Sequence, residues 1–158
     1  MTMNEQNCTQ PLKGIRVLDT TRALAGPYAA MILGDFGAEI TKIEWAPDGD
    51  IIRKWGHVVK GESTFALSTN RNKRSLLIDG RTTTGLDVIR RMASHADVFL
   101  ENFRPGVADQ LGLGYESLRK TNERLVYGSI SGFGRMGPRA SEPGFDIESH
   151  RGSRRLFG

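Results

Sequence analysis

Four short polar or glycine-rich segments carry the residues with chemical capacity. Each offers a different kind of contact, and none holds a complete catalytic set. Gly132-Phe133-Gly134-Arg135-Met136-Gly137 has the G-x-G-x-x-G spacing that lets a backbone approach a dinucleotide pyrophosphate. That fingerprint belongs after a first strand and at the start of a helix. Here it follows the fifth predicted strand and runs into Pro138-Arg139, so a flexible glycine loop over a ligand or at a turn is the better reading. Asn70-Arg71-Asn72-Lys73-Arg74 gathers three positive charges and two amides. It is either a phosphate-binding loop using charge-assisted bonds or a solvated turn before a strand. In Asn102-Phe103-Arg104-Pro105-Gly106 the amide can bond a polar ligand edge and the ring can stack, unless Phe103 simply tucks into the core. Asp146 follows a glycine turn and could face the same rim. His57 and His95 are isolated and read as structural, His95 near the C-terminus of a helix where a cationic ring suits the dipole. His150 has no partner, and no Ser–His–Asp or Cys–His arrangement can be assembled.

The elements that must position these loops follow from hydrophobic periodicity. Segments 14–19, 38–45, 75–79, 97–101 and 124–131 alternate or are β-branched and read as strands. Between the first two, Gly26-Pro27 opens a helix that runs to a stop at Gly34 or Gly37, which closes a β–α–β unit of right-handed crossover size. Segment 46–61 reads as a surface loop, 62–68 as a short helix and 70–74 as a loop. One of Thr82, Thr83 or Thr84 caps a helix whose Leu86, Ile89, Ala93 and Ala96 fall at helical spacing. Helical stretches at 107–111 and 115–120 precede the last strand. The alternation predicts an α/β fold with a largely parallel, Rossmann-like sheet covered by helices on both faces. Ligands of such sheets bind beyond the carboxyl ends of the strands, at a rim formed by the loops 21–26, 45–49, 102–106 and 132–137.

Composition is that of a globular chain: 158 residues, 38% hydrophobic and 25% charged. The net charge is +4, but Arg151, Arg154 and Arg155 against Glu148 supply +2 of it in the last twelve residues. The body is therefore only weakly basic, and the segment 70–74 has no interleaved aromatic platform. A nucleic-acid partner is the least favoured class. Cys8 is the single cysteine, so no internal disulfide or cysteine-based metal cluster can form around it. No apolar run approaches transmembrane length, and the first ten residues make a poor secretory or mitochondrial signal. A cytoplasmic location is the simplest expectation, with a mitochondrial one as the alternative. The expected organisation is a disordered segment over 1–10, a binding portion over 11–146, and an aberrant tail over 147–158 that lacks apolar periodicity.

Six ordered blocks together resemble the class III CoA-transferases. They are residues 11–19, Leu24-Ala25-Gly26-Pro27, 33–40 with Lys42-Ile43-Glu44, 70–75, 97–106 and Gly132-Phe133-Gly134. The similarity is strongest to the succinate–hydroxymethylglutarate type, in a family that also includes the formyl-CoA transferases. The resemblance implies transfer of CoA between carboxylic acids, dicarboxylates favoured, with coenzyme A or acyl-CoA as substrate. It implies no tightly bound cofactor or metal, and a homodimer of interlocked subunits with no nucleic-acid or membrane partner.

By position, the resemblance puts Ala23 and Leu24 at the thioester end, and Ile78, Arg81, Asn102, Phe103, Gln110 and Leu111 along the coenzyme groove. Trp45 stands where the formyl relative has an arginine, and Asp146 where it has an active-site glutamate. The racemase branch carries a histidine immediately before that acid. Here the residue is Phe145, whose ring cannot take a proton from carbon, so a 2-methylacyl-CoA racemase is a lesser alternative. The transferase nucleophile is an aspartate that forms an aspartyl-CoA thioester. The family's spacing puts it about thirty positions after Phe145, outside these 158 residues. A non-catalytic CoA-binding or assembly fragment is therefore the alternative from another class.

Overall fold

The computed structural model describes residues 10–142 and Gly144. Five parallel strands form one sheet: β1 (Arg16–Asp19), β2 (Glu39–Trp45), β5 (Lys73–Ile78), β6 (Val98–Glu101) and β7 (Val126–Ser129), in the spatial order β5-β2-β1-β6-β7. The chain starts in the middle, moves outward through β2 and β5, then returns to the other side of β1 for β6 and β7. This is the doubly wound Rossmann order, and its topological switch point lies between β1 and β6.

Both faces of the sheet are covered at its inner strands, as their apolar runs require, while the edge strand β5 is largely exposed. Val17, Ile40 and Leu100 pack with Ala30 of α1 (Ala25–Asp35) on one face. Leu18, Ile43, Ile78 and Phe99 pack on the other with Ile89 and Ala93 of α3 (Thr83–Ala93) and Leu118 of α5 (Tyr115–Leu118). Neighbouring residues of β1 and of β6 thus serve opposite cores, the period-two consequence of the pleat.

Local sequence explains the element ends. α1 begins at Ala25, two residues before Pro27, so the proline occupies the third helical position. Its missing N–H falls among the first-turn donors that have no intrahelical acceptor, and the ring removes no bond. Thr82 caps α3 by accepting from Gly85 N–H at 3.0 Å. β5 starts at Lys73 rather than Ser75, extending the strand into what reads from sequence as a basic loop.

The segment 46–61 is more structured than a loop. It holds a 3₁₀ turn (Ile51–Lys54), and β3 (Val58–Val59) pairs antiparallel with β4 (Glu62–Ser63). The expected helix over 62–68 is instead β4 followed by α2 (Thr64–Thr69), capped by Ser63 Oγ accepting from Ala66 N–H at 3.2 Å. The short α4 (Val107–Gln110) follows β6.

Candidate functional site

All five strand exits reach one rim, and a cleft of about 410 Å³ opens there between the β1 and β6 exits. Arg22, Ala23, Leu24 and Ala25 form one wall, and Asn102, Phe103, Arg104 and Pro105 the other. Trp55 and the β7 exit (Ile130, Ser131, Gly132) close its ends, together with Glu142 and Gly144. The cleft therefore sits at the switch point, where no strand-to-strand connection blocks access.

The β1 exit is held from beneath by a buried ionic ladder. Lys73 Nζ donates to Asp19 Oδ2 at 3.0 Å and to the Pro27 carbonyl at 2.7 Å. Asp19 Oδ1 accepts from the backbone N–H and the hydroxyl of Thr21. Lys42 Nζ donates to the Thr21 carbonyl at 2.8 Å and lies 2.9 Å from Asp50 Oδ2. Asp50 Oδ1 in turn accepts from the backbone N–H groups of Ala23 at 3.0 Å and Ile52 at 3.2 Å. Glu44 completes the chain: it accepts from Asp50 N–H at 3.0 Å, from Ser75 Oγ at 2.6 Å, and from Arg53 through both carboxylate oxygens. The Arg53 guanidinium, followed by Ser75 and the Asp50 amide, outweighs burial and holds the Glu44 carboxyl down to about 2. At Lys73 the balance tips the other way, and burial lowers the ammonium below its ordinary value despite Asp19.

The two cleft walls are joined by one side chain. Asn102 Oδ1 accepts from Arg22 N–H at 2.8 Å, and its Nδ2 donates to the Arg22 carbonyl at 2.8 Å. The amide is therefore committed to backbone, not offered to a ligand edge. Phe103 is set by its N–H donating to the buried Glu101 carboxylate at 2.8 Å, and its ring meets Trp45 edge-on with centroids 5.5 Å apart.

Of the residues the resemblance assigned to coenzyme contacts, Ala23, Leu24, Asn102 and Phe103 border the cleft. Ile78, Arg81, Gln110 and Leu111 do not. Ile78 ends β5 opposite Trp45 in the sheet register and packs in the core beside it. Arg81 lies three residues beyond, exposed, in a two-point ion pair with Asp79 at 2.9 Å. Gln110 is exposed at the end of α4, while Leu111 packs on the core and its carbonyl accepts from Arg90 at 2.7 Å. Trp45 lies half-buried over Gly80, where any β-carbon would strike the indole, and its ring N–H has no hydrogen-bond partner among the described residues. Asp146, Phe145, Cys8 and His150, with the segments 1–9 and 147–158, lie outside the described residues.

The basic segment 70–74 serves the fold. Arg71 and Asn72 both bond Asp35, Lys73 is buried on Asp19, Arg74 pairs with Glu39 at 3.3 Å, and Asn70 closes α2. Its cations are matched internally, so the contacts it makes in this structure are structural ones. The glycine segment 132–137 likewise opens no helix. Gly132 approaches Gly144 so closely that a β-carbon would fall 2.7 Å from the Gly144 Cα, and this contact shapes the cleft end. His95, just past the end of α3, donates from Nδ1 to the Arg91 carbonyl at 2.9 Å, a structural role.

The rim geometry has known counterparts. The model of CoA-transferase family III matches residues 12–151. The chain belongs to this family. Succinyl-CoA:glutarate CoA-transferase of Mus musculus is 45% identical over 138 residues, which is 87% of this chain and 32% of the relative. Succinyl-CoA–D-citramalate CoA-transferase of Chloroflexus aurantiacus is 42% identical over 144 residues, 90% of this chain and 36% of that protein. Among solved structures, Rv3272 from Mycobacterium tuberculosis superposes with a TM-score of 0.85 at 40% identity, covering 94% of this chain and 42% of that one. A CAIB/BAIF family protein from Brucella suis gives 0.82 at 43% identity, with 87% and 37% covered. This family III chain spans about a third of the length of the curated relatives it matches.

Proposed function

We propose that the cleft between the β1 and β6 exits binds the thioester end of coenzyme A. On this reading the chain is the coenzyme-binding part of an enzyme that moves CoA between dicarboxylic acids. The observation that carries it is the position and charge of the cleft. It lies at the switch point, and its walls include Arg22 and Arg104, both exposed, whose side chains have no hydrogen bond or ion pair among the described residues. Two such cations at a half-polar cleft suit an anionic ligand with an apolar tether, as a CoA thioester of a dicarboxylate is. The names of the relatives, succinyl-CoA:glutarate and succinyl-CoA–D-citramalate CoA-transferases, support the dicarboxylate class.

The remaining groove contacts extend this reading along the rim: Trp45 and Phe103 as an aromatic step, Ile78 beside them, and Arg81 as a phosphate contact that must first release Asp79. Gln110 and Leu111 lie farther along the same proposed groove. The covalent step is the resemblance's aspartate, outside these residues, with Asp146 as a supporting acid. A homodimer of the full-length protein belongs to the proposal, and the exposed Phe65, Leu67 and Leu77 side chains suit a partner surface. Mass spectrometry after mixing the full-length protein with succinyl-CoA and glutarate tests the transfer. Glutaryl-CoA supports it; the same assay on these 158 residues alone decides the alternative, coenzyme binding with no new thioester supporting a non-catalytic portion and turnover defeating it. No helix among the described residues is long and apolar enough to cross a membrane.

A further inference from the structure

Ala23 has a left-handed backbone, with φ 64°. For a residue with a β-carbon this conformation is disfavoured by about tenfold in population, and it persists only where surrounding contacts impose it. Asn102 holds the preceding Arg22 peptide from the other wall, and the one hydrogen bond to the Ala23 amide itself comes from a carboxylate. Asp50 is only 2% exposed, and its Oδ1 accepts from Ala23 N–H at 3.0 Å. The carboxylate cannot turn away. Its other oxygen lies 2.9 Å from the Lys42 ammonium, itself 2% exposed, and its own backbone N–H is tied to Glu44, which Arg53 and Ser75 hold in turn. Burying a carboxylate and an ammonium together brings little net stability, because desolvation offsets their attraction. What the pair does provide is a fixed acceptor aimed at one cleft-lining amide.

We propose that Asp50 is a positioning residue for ligand binding. It lines no part of the cleft, but it locks Ala23 in the left-handed conformation and so sets the wall from Arg22 to Ala25. This rests on the reading that the cleft takes a CoA thioester. It predicts a specific suppressor. Glycine adopts positive φ without the β-carbon penalty, so Ala23→Gly makes the wall less dependent on Asp50.

The test is calorimetric titration of the chain with succinyl-CoA, alongside thermal melting. Asp50→Ala alone would leave Lys42 buried without its counter-ion, so the substitution is made as Asp50→Ala/Lys42→Met. The expected result is affinity weakened about tenfold, the equivalent of the backbone penalty. Adding Ala23→Gly is expected to restore affinity to within about threefold of the parent while leaving the melting temperature of the double variant unrestored. Asp50→Asn keeps an acceptor for Ala23 but not the charge for Lys42, so it is expected to melt lower and bind as the parent does. Parent-like affinity in Asp50→Ala/Lys42→Met, or a loss that Ala23→Gly does not recover, overturns the inference. If the double variant does not melt cooperatively, Asp50→Asn decides: an affinity loss in step with its stability loss overturns it. A flat titration of the folded parent removes the coenzyme reading and this inference with it. Parent binding with insensitive variants removes this inference alone.

Discussion

The side-chain amide of Asn102 is paired through both of its polar atoms with the backbone of one residue, Arg22, each bond measuring 2.8 Å. The two residues are 80 apart in sequence and sit on opposite walls of the cleft. The amide imitates a strand pairing just where the sheet's own ladder ends, and it sets the distance between the walls. Asn102→Asp is nearly isosteric but places a carboxylate oxygen against the Arg22 carbonyl. We expect it to destabilise the fold by about 1–3 kcal/mol, at least as much as Asn102→Ala, because it replaces a donor with a repulsive acceptor. Melting temperatures of the two variants check this order.

Glu44 makes the fold acid-sensitive. Its carboxyl titrates at about 2 in the folded chain, below the ordinary 4.5, so the unfolded state takes up its proton first as pH falls. The stabilisation from this group is complete above about pH 5 and is lost progressively as pH drops from there toward 2. Discounted for the half-exposed Arg53 partner, it is on the order of 2 kcal/mol. Urea denaturation at pH 7 and pH 3 is expected to show this loss in the parent and a smaller one in Glu44→Gln, which starts from a lower stability at neutral pH.

The two tryptophans report on the rim separately. Trp55 borders the cleft, whereas Trp45 reaches it only through the edge of Phe103. Titration with succinyl-CoA is expected to change intrinsic fluorescence saturably. Trp55→Phe should remove the larger part of the change, and Trp45→Phe the smaller. The reverse order would mean that the ligand's main contact is with the Trp45 and Ile78 end of the groove and not with the cleft between Leu24 and Phe103.

Phe99 lies in the centre of the larger core and is fully buried, stacked on Tyr127 with centroids 5.4 Å apart. Phe99→Ala is expected to cost about 3–5 kcal/mol. Met136→Ala, at a side chain 89% exposed, is expected to change stability by less than about 0.5 kcal/mol. Denaturant midpoints separate the two.

The sheet was legible because its inner strands are buried on both faces and so stand out as apolar runs between glycine and polar breaks. Strand order was not, since nothing local says that β1 lies between β2 and β6. The ionic ladder was invisible for a physical reason. Lys42, Glu44 and Lys73 look solvent-facing when read singly, and their partners Asp50, Arg53 and Asp19 come from other segments. A usable signal existed in Lys42 and Glu44: two charges alternating with Ile40, Ile43 and Trp45 in a strand that must be covered on both faces need buried partners. The two readings of segment 70–74 could not be separated for the same reason, its charges being matched by Asp35, Asp19 and Glu39 from α1, β1 and β2. The hairpin of β3 and β4 has strands too short for any period to register. Asn102 was recognised as a rim residue, but its bond to Arg22 required the fold.

The central claim is that the space between Ala23–Leu24 and Asn102–Phe103 receives a CoA thioester. Isothermal titration of the folded chain with succinyl-CoA, with a cooperative melt recorded on the same sample, tests it most directly. The account predicts saturable one-to-one binding that free CoA competes away and that Arg22→Gln/Arg104→Gln weakens. A flat titration of a cooperatively melting sample would contradict it.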